Sequence, residues 1–404
     1  MCPVMTATDQ QNSRDDRIRL LFAVGAMWGG GTERQIIGLL KHIDRANYRP
    51  MLYLIYRTGE LLPEVPDDVP VFAFDETPDR KRLWIPGFMH LRHVNHMADC
   101  LRRERVDVVY DRTWHMSLVS GEATRKTGTP RISVIVTDPP RDFPATAGRF
   151  KRIKFRRLRR SYAEATQLVA VSDGVRDSSA EFYGLPVDKI VTSYNFLDLA
   201  RLEGLAESAT DTPVADITKE FRIVTAGRLH EQKGMTYLLQ AVRDLVNADG
   251  RRQIQLDILG DGVLRNELEA MARDSNLESN VTFHGFQSNP IPFFRRSHLF
   301  CLPSLFEGMP NSLLEAMALG VPVLSTDCPS GPREILQDGK FGHLVPAASP
   351  AALRSAITDA IDRYETWKAL TIPALQHIEQ EFSPQAGISR LEELIESVRS
   401  PRQF

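Results

Sequence analysis

Cysteine is scarce in this chain, and its thiols are far apart in the sequence. The 404 residues include four cysteines, at Cys2, Cys100, Cys301 and Cys328. A disulfide framework is therefore excluded, and the pattern is typical of free thiols in a reducing compartment. The chain also lacks paired His or Cys residues at ligand spacing, so we expect no metal site.

Long apolar runs are missing as well. No uninterrupted stretch approaches the roughly 18 residues that a membrane helix needs. Residues 1–16 are polar and lack the basic and apolar regions of a signal peptide, so we expect a flexible tail there and a cytoplasmic protein. The glycine run in GAMWGGGTER lacks the GxGxxG spacing of nicotinamide-dependent dehydrogenases, which disfavours that class.

The order of apolar segments predicts an α/β protein with two domains. A chain of 404 residues exceeds what one core usually holds. Strand-like and helix-like segments alternate throughout, which is typical of parallel sheets. We predict a first Rossmann-like unit over residues 17–200, a polar linker over 201–220 and a second Rossmann-like unit over 221–378. Residues 379–404 read as a C-terminal amphipathic helix with Pro384 near its start.

Charge is balanced over the whole chain but not along it. The net charge is −2, with about +5 in the first two hundred residues and about −7 in the rest. Eight Lys or Arg lie between Arg149 and Arg160, interleaved with Phe150, Ile153 and Leu158. Such a basic helix with a narrow apolar strip suits an anionic membrane surface. The alternatives are a solvated helix or a groove for an acidic acceptor. Nucleic acid is disfavoured because no nucleic-acid module accompanies the charge.

The segment EGMPNSLLEAMALG combines two carboxylates with a helix start. Pro310 suits the first turn of a helix that we expect to end near Leu319. Glu307 precedes this helix, and Glu315 lies on it, away from the apolar face. Free N–H groups at the helix start favour a phosphate, and Gly308 permits close approach. The segment therefore predicts a site for a sugar nucleotide.

A second segment, FRIVTAGRLHEQKG, places two cations after a predicted strand that ends at Ala226. Arg228 can bind a diphosphate through a fork of two donors, and Lys233 adds a point charge. Open α/β sheets bind their ligands at this carboxyl edge. Two further strands exit at the same edge, and their loops can wrap a nucleobase; they contain Gly260, Gly262 and Phe286.

Together these motifs resemble the retaining glycosyltransferases of family 4, which have the GT-B fold of two Rossmann-like domains facing a central cleft. Four blocks span nearly the whole chain in the order of that family: GGGTER, GRLHEQKG, the GDG segment and SLFEGMPNSLLEAMALGVPVLSTD. The resemblance implies that Arg228 and Lys233 hold the donor diphosphate, that Glu307 binds the transferred sugar, and that Glu315 binds the ribose. It also implies that the backbone of Gly308, Met309, Pro310 and Asn311 helps to hold the sugar and phosphate. Gly30 and Gly31 are expected to let the first domain approach the donor from across the cleft.

The activity implied by this resemblance is transfer of a hexose or N-acetylhexosamine with retention of configuration. Similar CPSGPREIL segments occur in bacterial enzymes that build lipopolysaccharide and other surface polysaccharides from UDP-sugars. The implied acceptor is a glycan or a lipid-linked sugar, and neither a metal nor another cofactor is expected. The expected location remains the cytoplasm, with peripheral binding at the inner face of the plasma membrane through the basic segment. Two alternatives stay open: a sugar-nucleotide epimerase on the same fold, and a catalytically silent relative that binds sugar nucleotides.

The sequence departs from the family pattern at two places. Many relatives carry a histidine after a strand of the first domain, facing the reacting carbon. Here the strand RISVIV leads to Asp138, and either this residue or His115 can take that catalytic place. Asp138 can equally well serve to start a turn before the two prolines. His115 can equally well be a packed or solvated side chain without a catalytic role. The second departure is YNFLD, where relatives have Asn-Gly, so no role is assigned to Asn195 beyond ending the strand.

Overall fold

The structure of the protein is a computed structural model that describes residues 15–76, 87–207, 216–217, 219–251 and 253–399. The expected N-terminal tail, residues 1–16, lies outside this part of the chain except for Asp15 and Asp16. Most of the expected linker beyond residue 207 lies outside it too, as do the last five residues of the expected C-terminal helix.

The first domain is built on a parallel sheet of seven described strands in the order β3-β2-β1-β4-β5-β6-β7. The strands are β1 Ile18–Val24, β2 Tyr48–Leu54, β3 Val71–Ala73, β4 Val108–Arg112, β5 Arg131–Ile135, β6 Gln167–Ala170 and β7 Ile190–Thr192. The helices between and after them are α1 Gly31–His42, α2 Phe88–Arg103, α3 Trp114–Thr127, α4 Pro139–Thr146, α5 Lys151–Ala163, α6 Asp173–Tyr183 and α7 Leu199–Glu207. Helix α7 occupies the first residues of the expected linker.

The second domain repeats this plan with six described strands in the order β10-β9-β8-β11-β12-β13. The strands are β8 Phe221–Ala226, β9 Ile254–Leu259, β10 Val281–Gly285, β11 Leu299–Leu302, β12 Val323–Thr326 and β13 His343–Val345. The helices are α8 Met235–Asn247, α9 Arg265–Asp274, α10 Ile291–Arg295, α11 Asn311–Ala318, α12 Pro332–Ile335, α13 Pro350–Asp362, α14 Tyr364–Ala369, α15 Thr371–Glu381 and α16 Pro384–Arg399. Two parallel-sheet α/β domains confirm the predicted fold class.

Helices cover both faces of each sheet, which explains why the central strands read as unbroken apolar runs. In β1, Leu20 and Phe22 join the largest cluster of buried apolar side chains, whereas Leu21 and Ala23 join a separate cluster beneath α2 and α3. Successive residues of a strand point to opposite faces, so one strand contributes to two cores.

The strand order places a switch point in each sheet. In the first sheet, the chain continues from β1 to β2 on one side of it, and β4 later pairs with the other side of β1. In the second sheet, β9 and β11 flank β8 in the same way. Loops that leave neighbouring strands in opposite directions open a crevice at the carboxyl edge of the sheet. The loops after β1 and β4 therefore line one wall of a cleft, and those after β8 and β11 line the other.

The C-terminal helix α16 returns to the first domain and packs against α1, β5 and β6. The segment before it is held by the backbone N–H of Leu197, which donates to the carbonyl oxygen of Phe382 at 2.7 Å. On α16, a side chain at Gly387 would overlap the ring of Phe196. The first domain is therefore completed by α16 and the residue segment before it.

Among the described residues, no helix combines the length and apolar character required to cross a bilayer. The same part of the chain contains no group of three or more His, Cys, Asp or Glu placed to hold a metal ion.

A buried ion pair joins β4 to β5 in the first sheet, and serine hydroxyls of α3 bind to its carboxylate. Asp111 on β4 is fully buried and accepts from the Arg131 guanidinium at 3.0 Å. Three hydroxyls also donate to this carboxylate, those of Ser117 at 2.5 Å, Ser120 at 2.8 Å and Ser133 at 2.8 Å. These bonds offset the desolvation of the pair, which would otherwise be unfavourable.

We expect Asp111→Ala to destabilise the protein by about 3–5 kcal/mol, because it leaves the Arg131 guanidinium buried without a counter-ion. Urea unfolding followed by circular dichroism measures this loss. Asp99→Ala is the control, since Asp99 pairs with Arg102 in solvent and its loss is worth less than about 1 kcal/mol. Equal losses in the two variants would contradict the role given to Asp111.

Candidate active site

The two domains approach each other closely at the loop that precedes α11. A side chain at Gly308 would overlap the carbonyl oxygen of Val136 and come within 3.1 Å of the Thr137 Cα. Gly308 follows β11, and Val136 follows β5, so the contact joins the carboxyl edges of both sheets. Only a residue without a β-carbon permits this approach.

Beside this contact lies an ion pair formed by residues from both predicted motifs. The Lys233 ammonium lies 2.5 Å from the Oε1 atom of Glu307, and the Ser304 hydroxyl donates to the same oxygen at 2.6 Å. Glu307 is buried, and Lys233 is half-buried. The structure thus brings together the cation predicted to hold a diphosphate and the carboxylate predicted to hold the sugar.

Arg228 is exposed, and no ion pair or hydrogen bond of its side chain occurs among the described residues. Its charge reaches two carboxyls of the first domain. Burial raises the pKa of Glu33 and of Asp142, and the Arg228 charge partly opposes the rise in both. Sequence reasoning missed both carboxyls. Asp142 follows Asp138 by one helical turn, a spacing that carries no signal without the fold.

Helix α11 begins at Asn311, with Pro310 as its N-cap residue, one residue later than the sequence suggested. Met309 and Pro310 are buried. Glu315, one turn into the helix, is half-buried. Burial raises its pKa, and the charges of Arg34 and Arg201 in the first domain oppose the rise. The predicted ribose-binding carboxylate therefore faces cations of the opposite domain.

The predicted glycine loops pack on one another behind the cations. Gly260 has a φ of +132°, and a side chain there would overlap the Gly227 carbonyl oxygen. A β-carbon at Gly262 would similarly overlap backbone atoms of Leu229. Phe286 follows β10 and is half exposed; its ring lies 3.1 Å from the point that a β-carbon of Gly29 would occupy. These loops thus form the rim of the cleft.

The glycines of the first domain lie opposite the start of α11. Gly30 is the N-cap residue of α1, and Gly31 is its first residue. The Asn311 amide donates to the Gly31 carbonyl oxygen at 3.4 Å. The glycine loop of one domain and the helix N-terminus of the other therefore face each other directly.

The two candidates for the family histidine are placed differently. Asp138 is buried and binds the Arg141 guanidinium at 2.7 Å as well as the Ser178 hydroxyl. His115 is exposed at its edge but stacks on Trp114 with ring centroids 3.4 Å apart; desolvation on that side, together with the charge of Lys154, lowers its pKa to about 4. Asp138 therefore has structural partners within its own domain, and the His115 imidazole is neutral near pH 7.

Asn195 bridges the domains, which sequence reasoning did not predict. Its side-chain oxygen accepts from the Arg112 guanidinium at 2.8 Å, and its amide donates to the Asn311 side-chain oxygen at 3.1 Å. Asn195 thereby contacts the N-terminus of α11, because Asn311 is the first residue of that helix. The YNFLD departure from the family pattern gave no signal for this contact, because Asn195 and its two partners, Arg112 and Asn311, are far apart in the sequence.

A further bridge lies at the other end of the cleft. The carboxylate of Glu334 on α12 accepts from the backbone N–H groups of Asp173 and Gly174 at 2.7 and 2.9 Å. Asp173 and Gly174 are the first two residues of α6, and the positive end of the helix dipole there favours a carboxylate. The CPSGPREIL segment thus supplies an anchor between the domains.

The basic segment forms α5 and the residues before it. Phe150 and Ile153 are more than half exposed. Leu158 is fully buried in the core, so its expected place in the exposed apolar strip was wrong. Arg157 pairs with Glu122 at 2.8 Å, as Arg160 does with Glu164 at 2.7 Å. Arg149, Arg152 and Arg156 are exposed, and no ion pair of theirs occurs among the described residues.

Comparison with known families gives two matches that divide the chain between its domains. Residues 29–201 match the family described as Glycosyltransferase Family 4, and residues 220–363 match the family described as Glycosyl transferases group 1. The first segment contains β2 to β7 with the helices between them, and the second contains β8 to β13 with α8 to α13.

Similar proteins include an N-acetylgalactosaminyltransferase of Campylobacter jejuni whose name gives a diphospho-undecaprenol-linked acceptor; it is 33% identical over 46% of this chain and 47% of its own. A lipopolysaccharide core biosynthesis glycosyltransferase of Rhizobium meliloti is 28% identical over 66% of this chain and 68% of its own. The chain spans 35 to 53% of the length of the first three curated relatives it matches. The crystal structure of Anabaena HepE with UDP has the same fold, with a TM-score of 0.73, 19% identity, and coverage of 94% of this chain and 100% of that one.

We expect Gly308→Ala to push the domains apart, because the added methyl group overlaps backbone that has no alternative rotamer. The radius of gyration from small-angle scattering should rise, and stability should fall by about 1–3 kcal/mol. Gly204→Ala is the control, since a side chain on that residue of α7 meets nothing within 4 Å. An unchanged scattering profile in Gly308→Ala would contradict the assigned contact.

Proposed function

The chain belongs to the family 4 and group 1 glycosyltransferases, and from this we propose that it transfers a hexose or an N-acetylhexosamine from a UDP-sugar to a glycan or lipid-linked acceptor. The product is a cell-surface polysaccharide or lipopolysaccharide. Transfer proceeds with retention and without a metal ion. The relatives from Campylobacter jejuni and Rhizobium meliloti support the acceptor class, and the UDP complex of HepE supports the nucleotide.

The observation that carries this proposal is the cation pair beside the start of α11. Lys233 contacts Glu307 at 2.5 Å, Arg228 lies five residues before Lys233, and both cations follow β8 at the switch point of the second sheet. A nucleoside diphosphate carries the charge that Arg228 and Lys233 complement, and the sugar attached to it presents hydroxyls to the Glu307 carboxylate.

In the proposed reaction the bond between the anomeric carbon and the diphosphate oxygen breaks, and the acceptor hydroxyl attacks from the same face. The electron pair of the broken bond stays on the diphosphate, where negative charge develops. Arg228, Lys233 and the N–H groups at the start of α11 are placed to stabilise that charge, which makes them the main catalytic groups. The hydroxyl proton passes to the leaving diphosphate, so the reaction balances without a further base.

We expect Arg228→Ala and Lys233→Ala each to lower kcat by roughly a hundredfold, because each removes one preorganised donor from the leaving group. Release of UDP from a UDP-sugar in the presence of a lipid-linked acceptor measures this. Arg243→Ala is the control, since Arg243 pairs with Asp244 on the surface. Turnover close to that of the wild type in both site variants would overturn the assignment.

Thermal melting with UDP, GDP and ADP identifies the donor nucleotide independently of the acceptor. A ligand at a hundred times its dissociation constant adds about 2.7 kcal/mol of stability. We expect UDP to raise the melting temperature with or without magnesium, and Glu315→Ala to reduce the shift. A shift with GDP or ADP alone would replace the proposed donor.

The basic surface of α5 supports the second part of the proposal, that the enzyme works on the inner face of a membrane. Arg149, Arg152 and Arg156 carry exposed charge, and Phe150 and Ile153 expose apolar side chains among them. Basic groups attract anionic headgroups, and exposed apolar groups enter the boundary beneath them. A lipid-linked acceptor would be presented at this surface.

We expect reversal of Arg149, Arg152 and Arg156 to Glu to release the protein from vesicles that contain anionic phosphatidylglycerol. Each basic residue near such a surface contributes about 1 kcal/mol, so three reversals lower the partition coefficient by at least about a hundredfold. Co-sedimentation at low and high salt measures the loss, because this attraction is screened.

Reversal of Arg243, Arg273 and Lys368 to Glu is the matched control, since all three are exposed basic groups of the second domain. Their reversal changes the net charge without touching α5. Release of the control together with the α5 variant would show attraction by net charge alone and would overturn docking through α5.

A further inference from the structure

We propose that Arg112 is an anion-binding residue in the floor of the cleft, and that its counter-ion is a phosphate group of a substrate. The inference deepens the proposed function and rests on it. It adds a cation from the first domain to the two cations supplied by the second, at a position that none of the sequence motifs indicates.

Arg112 is buried, with 3% of its surface exposed, yet it has no carboxylate partner among the described residues. Its guanidinium donates to the Asn195 side-chain oxygen at 2.8 Å and to the Tyr110 hydroxyl at 3.3 Å. Its Nε–H is buried and finds no acceptor in the described part of the chain. Both acceptors are neutral, so the positive charge is not compensated by direct contact.

The neighbouring strand shows how this fold satisfies a buried guanidinium. Arg131 on β5 is also almost fully buried, but it contacts the Asp111 carboxylate at 3.0 Å. Isolated charges are strongly unfavourable in a protein interior and are normally paired. Of these two buried arginines on adjacent strands, Arg112 therefore has an unmet requirement for an anion.

The fold places this charge where ligands of parallel sheets bind. Arg112 is the last residue of β4, next to β1 at the switch point of the first sheet. The loop after β1 carries Gly30 and Gly31. The electrostatic influence of Arg112 extends to Glu33 at the start of α1, whose carboxyl also senses Arg228. Arg112 and Arg228 thus approach the same region from opposite domains.

Hydrogen bonds connect Arg112 to the helix that we assign to the diphosphate. A guanidinium can only donate, so the side-chain oxygen of Asn195 faces it and the Asn195 amide is left to donate to Asn311. The Asn311 amide in turn donates to the Gly31 carbonyl oxygen. Arg112 therefore sets the orientation of both amides between the domains, in addition to supplying charge.

A phosphate is the anion that this arrangement fits, because guanidinium groups bind its oxygens through charge-assisted hydrogen bonds. Two substrates can supply it, the donor diphosphate and a phosphate at the head of a lipid-linked acceptor. The binding of UDP, of inorganic pyrophosphate and of farnesyl phosphate distinguishes these sources, with uridine as the ligand that lacks phosphate.

The test compares Arg112→Met, Arg112→Lys and Arg131→Met with the wild type by calorimetric titration and by thermal melting without ligand. For Arg112→Met we expect affinity for UDP and pyrophosphate to fall about 10- to 100-fold with uridine unchanged, since one charged hydrogen-bonding group is lost. Arg112→Lys keeps the charge and should lose less. Without ligand, Arg112→Met should be at least as stable as the wild type, whereas Arg131→Met leaves Asp111 unpaired and melts lower.

The pattern of affinity loss in Arg112→Met identifies which substrate supplies the phosphate. Loss of UDP and pyrophosphate binding assigns the phosphate to the donor; loss of farnesyl phosphate binding alone assigns it to the acceptor. Unchanged affinity for all three overturns the proposal. So does a fall in ligand-free melting temperature as large as that of Arg131→Met, since the guanidinium would then serve the fold. If the wild type itself binds no nucleotide, the proposed function fails instead, which separates the two failures.

Discussion

Backbone packing between Gly308 and the Val136–Thr137 segment sets how closely the two parallel sheets approach each other. Backbone atoms cannot move aside as side chains do, so this contact fixes the separation of the carboxyl edges. The bridges from Asn195 to Asn311 and from Glu334 to the start of α6 form within that separation. A cleft built in this way places side chains from four loops within reach of one extended ligand.

Charges in the cleft are complementary across the domain boundary. The charge of Arg228 in the second domain lowers the pKa of Glu33 and Asp142 in the first. The charges of Arg34 and Arg201 in the first domain lower the pKa of Glu315 in the second. Burial raises the pKa of all three carboxyls, so these contacts offset only part of the desolvation. A bound diphosphate would compete with the carboxyls for the same cations, which couples its binding to the contact between the domains.

Local signals in the sequence were sufficient for the fold class and for where the residues of compact motifs lie along the strands and helices. The positions of Arg228 and Lys233 between β8 and α8 were predictable because a strand, a glycine and a helix start surround them within fourteen residues of sequence. Arg112, Asp142 and Asn195 were not, because their partners are far away along the chain. Leu158 was misplaced for a geometric reason: it lies about 140° around the helix from Ile153, which turns it from solvent to the core.

The return of α16 to the first domain has a consequence for how the chain matures on the ribosome. Domains usually fold as they emerge, the N-terminal one first. Here Phe196 already packs against α1, but the side of its ring that Gly387 covers stays open until α16 has been synthesised. The first half must therefore wait, partly uncovered, for the whole second domain to be translated. Apolar surface that is exposed during this interval favours aggregation of the nascent protein.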